Sequence, residues 1–175
     1  AATSVHKLGG SMTQSSILNV KGTRVNPHRI QTIFSMLTTT STSYLLLASL
    51  DTARRNLALN GRAMAERALG LARYARREIN TIPGLYCFGD DILGSEATYS
   101  YDPTKITVHV RHLGITGYDA ENWLRERHRI EVELSDMYNI LALITPGDTK
   151  ETVDALLDAL REMSDTFYRV NEAKE

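Results

Sequence analysis

The sequence holds one cysteine, Cys87, in 175 residues. A lone thiol closes no disulfide within the chain, and without a thiol cluster there is no thiolate metal site. That usage suits a cytoplasmic protein. Long apolar runs are also missing: the longest candidate, Tyr44 to Leu50, is broken by Asp51 and Arg54, well short of the roughly 20 residues that span a bilayer. The opening residues AATSVHKLGG lack the basic-then-apolar order of a secretory signal. Neither secretion nor a membrane partner is expected. There is no excess of one charge either, since 20 basic and 21 acidic side chains leave a net charge of -1. No broad field draws in a polyanion, so nucleic acid is not an expected partner. No internal repeat is evident.

What is present is a globular composition, 42% hydrophobic and 23% charged, enough to bury a core. After a loop rich in Gly and Ser, Ile17 to Val20 reads as a short apolar strand that ends in a turn at Lys21 and Gly22. Asn26 followed by Pro27 predicts a helix entry, and Ile30, Ile33, Phe34 and Leu37 supply one apolar face, giving a helix from Pro27 to Leu37. The hydroxyl run Thr38 to Ser43 predicts a loop, because such side chains compete for backbone hydrogen bonds. From Tyr44 to Ile79 the chain is rich in Leu, Ala, Arg and Glu, predicting one long helix or two broken near Asn60 and Gly61. Its arginines, Arg54 through Arg77, are expected to form a solvated face.

Beyond Ile82 the pattern predicts a short strand at Leu85 to Phe88, then an alternating strand through Ile106, Val108 and Val110. A helix follows from Gly117 to Arg127 with Trp123 and Leu124 inward, then strands at Ile130 to Leu134 and Tyr138 to Ile144. A last helix begins at Asp148 or Thr149, where Asp148 and Glu151 have capping-box spacing, and runs through Val153, Leu156, Leu157 and Leu160. This order describes a small α+β layer. His109 and His112 stand three apart, with no third ligand in view, and are expected on the surface of a strand and its exit. Cys87 and Trp123 are expected in the core, and no metal site is expected.

The chemistry-bearing candidates are near the start, in Ser4-Val5-His6-Lys7 followed by Leu8-Gly9-Gly10-Ser11. An amine that condenses with an aldehyde must spend time unprotonated, which burial or nearby positive charge favours. Hydroxyl and imidazole donors beside it suit a phosphate, and the glycines let backbone approach a flat ring. By itself the tetrapeptide also fits a solvated surface lysine.

A longer resemblance separates these readings. The stretch SVHKLGGSMTQSSILNVKG, with TTTSTSYLLLASLDTARR, DPTKITV and VELSDMYNILALITPGD further on, resembles the Orn/Lys/Arg decarboxylases, enzymes of the aspartate-aminotransferase fold (type I) that use pyridoxal 5'-phosphate. The resemblance implies an α/β chain: the C-terminal part of a transferase-like large domain with linking helices over residues 1–81, then a small α+β layer domain over residues 82–175. It implies that Lys7 carries the cofactor and that Ser4 and His6 contact its phosphate. Thr39, with Ser41 beside it, matches a segment that reaches a neighbouring subunit's phosphate, so a homodimer or higher homo-oligomer is implied. Glu133 matches an acid near the distal basic group of the substrate. Arginine is the first expected substrate, with lysine or ornithine next.

In that family the acid on the pyridine nitrogen and the histidine stacked on the ring lie upstream of the lysine, whereas six residues precede Lys7 here. The chain is therefore expected to need an upstream polypeptide of the same enzyme. Two other readings are weighed. One keeps fold and cofactor but performs transamination; the other is a non-catalytic ligand-binding or assembly module in which Lys7 is exposed.

Overall fold

Asn26 and Pro27 start a helix where the sequence predicts one, because the Asn26 side chain accepts the orphan N–H of His28 at 2.9 Å and proline stands at the first helical position. The computed structural model describes residues 1–94 and 96–172. These form six strands and five α-helices, with the chain dividing into two compact units, residues 1–63 and 64–175. The sequence places its division at 81/82 instead; the two differ in which part takes the C-terminal half of the long helix.

In the first unit, β1 (Ala2–Ser4) and β2 (Ser16–Leu18) pair antiparallel, with Ala2 opposite Leu18, Thr3 opposite Ile17 and Ser4 opposite Ser16. Between them lies α1 (Val5–Leu8), a single turn. The ladder ends at Leu18, short of the expected Val20, with the last tie made by Asn19 N–H to Ala1 O at 2.8 Å. Next comes α2 (Pro27–Leu37), none of whose residues is buried. The hydroxyl run after it is irregular, and α3 (Tyr44–Ile79) then continues unbroken across Asn60 and Gly61. Helix-favouring residues on both sides outweigh the cost of one glycine, roughly 1 kcal/mol.

The second unit is built on a four-stranded antiparallel sheet, ordered β3 (Tyr86–Cys87), β4 (Lys105–His109), β6 (Asn139–Leu143), β5 (Leu134–Ser135). Ile106 and Val108 alternate with polar neighbours on β4, and they share one core with Ala72, Ala75 and Ile79 of α3. Val153, Leu157 and Leu160 of α5 (Lys150–Glu172) join that core at helical spacing. Cys87 is fully buried, as expected of a small hydrophobe.

Four details depart from the sequence reading. The predicted helix Gly117 to Arg127 is α4 (Gly117–Trp123) followed by a π-helical turn, Leu124–His128, which ends at left-handed Arg129 (φ 57°). That exit keeps Ile130 to Val132 out of the ladder, so the expected strand Ile130 to Leu134 shrinks to β5. Leu124 is buried while Trp123 packs half-exposed at the core margin. The last helix is capped by Thr149 and Thr152, whose hydroxyls each accept the other's main-chain N–H, at 3.1 and 3.4 Å. Asp148 instead accepts from Thr145 N and Oγ1 at 2.7 and 2.8 Å, closing the preceding turn.

Arg76 is the largest departure from the expected solvated stripe. It is 8% exposed and donates to the carbonyls of Phe88 (2.7 Å), Pro103 (3.1 Å) and Lys105 (3.2 Å), fastening both ends of the link between β3 and β4 to α3. Among the described residues no helix is long and apolar enough to cross a membrane.

Two outcomes are expected from this packing. Gly117 stands where a Cβ would overlap the carbonyl oxygens of Asp136 and Asn139, so Gly117→Ala is expected to cost about 1–3 kcal/mol through forced backbone displacement, measured by thermal unfolding of the second unit. Val5 and Ala53 are the only buried hydrophobic residues described in the first unit. Hydrogen exchange of this 175-residue chain is therefore expected to be faster through residues 1–63 than through the core of the second unit.

Candidate functional site

Lys7 stands in the last turn of α1, and its position is set by main-chain geometry. The paired strands return the chain on itself, so the intervening turn projects from a closed hairpin. Gly9 closes that turn by donating its N–H to Val5 O at 2.7 Å, and a Cβ on Gly9 would crowd Val5 Cγ1 at 2.5 Å. Gly10 follows with φ 83°, a conformation that favours glycine. Both glycines thus serve the turn.

The side chains of the turn differ in their surroundings. Ser4 is exposed at the helix N-cap and its hydroxyl makes no capping bond. His6 is half-buried, and its Nδ1 donates to the carbonyl of Ser15 at 2.9 Å, while its main-chain N–H reaches the same oxygen at 3.4 Å. Lys7 is exposed. Ser15 is 2% exposed, and its hydroxyl, like that of Ser11, is buried without a hydrogen-bond partner among the described residues. Beyond the turn, the Met12 N–H donates to Ser49 Oγ of α3 at 3.2 Å, which ties the segment to the long helix.

Thr39 and Ser41 lie exposed in the hydroxyl loop, where Thr39 Oγ1 accepts the Ser41 N–H at 3.1 Å. A hydroxyl that accepts in this way keeps its own proton to donate. Ser4, His6, Lys7, Thr39 and Ser41 all belong to the first unit, and Ser4, His6 and Lys7 share one turn. Glu133 belongs to the second. Its main-chain N–H donates to Leu141 O at 2.8 Å, extending the β5–β6 pairing, and its side chain is exposed with no ion pair among the described residues.

The hairpin that carries Glu133 is braced by acids. Asp136 accepts the N–H groups of Tyr138 and Asn139 at 2.8 Å each, and these bonds, with a further one from the Asn139 side chain, hold its carboxyl below the usual carboxylate range. Glu121 is lowered likewise, first by the Ser135 hydroxyl and then by Arg125. His109 and His112 meet edge to face with centroids 5.7 Å apart, and His109 Nδ1 bonds Asn139 Oδ1 at 3.1 Å. Among the described residues no group of three or more His, Cys, Asp or Glu side chains could hold a metal.

The model for the family "Orn/Lys/Arg decarboxylase, major domain" matches residues 1–152. The chain belongs to this family. Among curated proteins it is 64% identical over 165 residues to an arginine decarboxylase of Halalkalibacterium halodurans, covering 94% of this chain and 34% of that protein. It is 61% identical over 164 residues to an arginine decarboxylase of Bacillus subtilis, again covering 94% and 34%. A constitutive lysine decarboxylase of Escherichia coli is 26% identical over 200 residues, covering 94% and 28%. The crystal structure of a Francisella novicida lysine decarboxylase superposes with a TM-score of 0.79 at 26% identity, covering 95% of this chain and 28% of that one. The chain thus spans about a third of the length of the arginine decarboxylases it matches.

Within this Orn/Lys/Arg decarboxylase chain, sequence reasoning missed the Ser15 carbonyl. A main-chain acceptor has no residue type to betray it. The one signal is the separation of His6 and Ser15 along a hairpin, which needs the register before it means anything.

The bracing carboxylates give a pH expectation. Because hydrogen bonds lower the folded-state values of Asp136 and Glu121, their contribution to stability is present above the ordinary carboxylate range, about 4, and is lost as pH falls through their lowered values. Acid unfolding of the second unit is expected to soften in Asp136→Asn, which has no such carboxylate to protonate, while the variant is less stable at neutral pH.

Proposed function

We propose that this chain is the lysine-bearing part of a pyridoxal 5'-phosphate-dependent decarboxylase acting on a basic amino acid, arginine first and lysine or ornithine next. The observation that carries the reading is the Ser4-His6-Lys7 turn, held in a closed hairpin, in a chain 64% identical to an arginine decarboxylase. The residues suit the cofactor: a hydroxyl without a capping bond, an imidazole and an amine stand on one turn, and the buried hydroxyls of Ser11 and Ser15 have no hydrogen-bond partner among the described residues. When bound, pyridoxal 5'-phosphate supplies the electron sink that lets an α-carboxylate leave as carbon dioxide.

The chain's own groups then have separable tasks. Lys7 Nζ would be the group that holds the cofactor at its aldehyde carbon. Ser4 Oγ and His6 hold the phosphate. Thr39 Oγ1, with its proton still free to donate, reaches a neighbouring subunit's phosphate with Ser41 beside it, in a homodimer or higher homo-oligomer. Glu133, whose carboxylate has no ion pair among the described residues, takes the guanidinium or ammonium of the substrate. The rest of the active site comes from the upstream polypeptide of the same enzyme, in line with a chain that spans about a third of its relatives. A cytoplasmic setting suits the single buried thiol.

The non-catalytic reading expects Lys7 exposed, and it is exposed. In a chain of this span the decarboxylase reading expects the same, since the polypeptide that would cover the amine lies elsewhere. A transaminase acting on acidic or neutral substrates has less use for an acid at Glu133. The test is the full-length enzyme assayed for carbon dioxide release from arginine, lysine and ornithine. Release is expected to be fastest from arginine and to fall to background in Lys7→Ala, while Glu133→Gln raises KM for arginine about tenfold or more, as loss of a charge-assisted pair should. Amino-group transfer without carbon dioxide, or equal rates in Lys7→Ala, would contradict the proposal.

A further inference from the structure

We infer that the main-chain carbonyl of Ser15 is a positioning group for His6: it accepts the Nδ1–H and so turns the opposite nitrogen, Nε2, toward the cofactor phosphate, to which Nε2 would donate once it has taken up a proton of its own. The inference rests on the proposed pyridoxal 5'-phosphate reading for its ligand, and on geometry alone for the tautomer.

A carbonyl oxygen can only accept, so a 2.9 Å contact from His6 Nδ1 to Ser15 O requires the proton on Nδ1. The same oxygen also accepts the His6 main-chain N–H at 3.4 Å, so one acceptor holds the residue by ring and by backbone. The acceptor is itself fixed. Ser15 directly precedes Ser16, which faces Ser4 at the end of the β1–β2 ladder, and it is 2% exposed. Its hydroxyl has no hydrogen-bond partner among the described residues, so the serine side chain does not compete for the carbonyl. Among the described residues Nε2 makes no hydrogen bond, and it is the ring's remaining polar atom. An acceptor that holds one ring nitrogen orients the other toward its ligand, the same logic by which ligating histidines are held.

The test uses full-length enzyme in which histidine is labelled with nitrogen-15, with the His6 signals assigned by their loss in His6→Asn. In cofactor-free protein Nδ1 is expected to carry a proton; adding pyridoxal 5'-phosphate is expected to move Nε2 to its protonated form, so that it donates to the phosphate, and to leave Nδ1 protonated. His6→Asn keeps an N–H near the Nδ1 position and is expected to retain hydrogen-exchange protection across residues 4–18, while losing cofactor affinity about tenfold or more. His6→Gln, which places its N–H near the Nε2 position, is expected to lose that protection. Ser15→Ala keeps the carbonyl and is expected to keep the tautomer.

An Nε2–H tautomer in the cofactor-free protein, or identical exchange in the two His6 variants, would overturn the inference. So would a changed tautomer in Ser15→Ala, which would assign the effect to the hydroxyl. Wild-type enzyme that binds no pyridoxal 5'-phosphate at all would instead sink the parent proposal, and the cofactor-free tautomer would still report on the Ser15 grip.

Discussion

The first unit depends on the antiparallel closure of β1 on β2. Three residue pairs and the flanking Asn19 to Ala1 bond fix where the chain turns, and that turn is the single helical revolution carrying His6 and Lys7. The local geometry follows from it: Gly9 closes the revolution against Val5, Gly10 leaves it in a left-handed conformation, and Ser15 returns its carbonyl to His6. A one-residue slip in this register would move Ser15 off His6 and turn the neighbouring side chains over. The hairpin therefore holds the Lys7 turn by main-chain hydrogen bonds, with glycine at the two positions that the turn crowds or twists.

The two units rest on different physics. The second buries a continuous core between its sheet, the C-terminal half of α3 and α5, and Arg76 directs its donors to the carbonyls of Phe88, Pro103 and Lys105. A buried guanidinium satisfied in this way avoids the cost of an unpaired polar group. The first unit has little apolar burial of its own, and α2 leaves Phe34, Met36 and Leu37 exposed.

Much of this architecture is legible in the order of the residues. Asn26-Pro27, the alternation at Ile106 and Val108, and the apolar spacing of the last helix each encode their element locally, and each element forms. Where local rules fail, the deciding interaction is a distant or competing one. The left-handed exit at Arg129 shortens a strand that composition favours, and the carbonyls that recruit Arg76 lie 12 to 29 residues away along the chain. Thr149 and Thr152 take the cap that Asp148 and Glu151 are spaced to form, because Asp148 is engaged by Thr145. The family itself is legible in the dense segment around Lys7, and the match over residues 1–152 bears that out. The roles of Ser4, His6, Lys7, Thr39, Ser41 and Glu133 are proposals carried by that likeness and by the geometry of the turn.

The central claim is that Lys7 is the covalent attachment point of the cofactor, and borohydride reduction of the full-length enzyme with pyridoxal 5'-phosphate tests it most directly. Peptide mapping after reduction is predicted to find the stable pyridoxyl group on Lys7 and the visible absorbance lost. A pyridoxyl group on another lysine, or none on any, would contradict it.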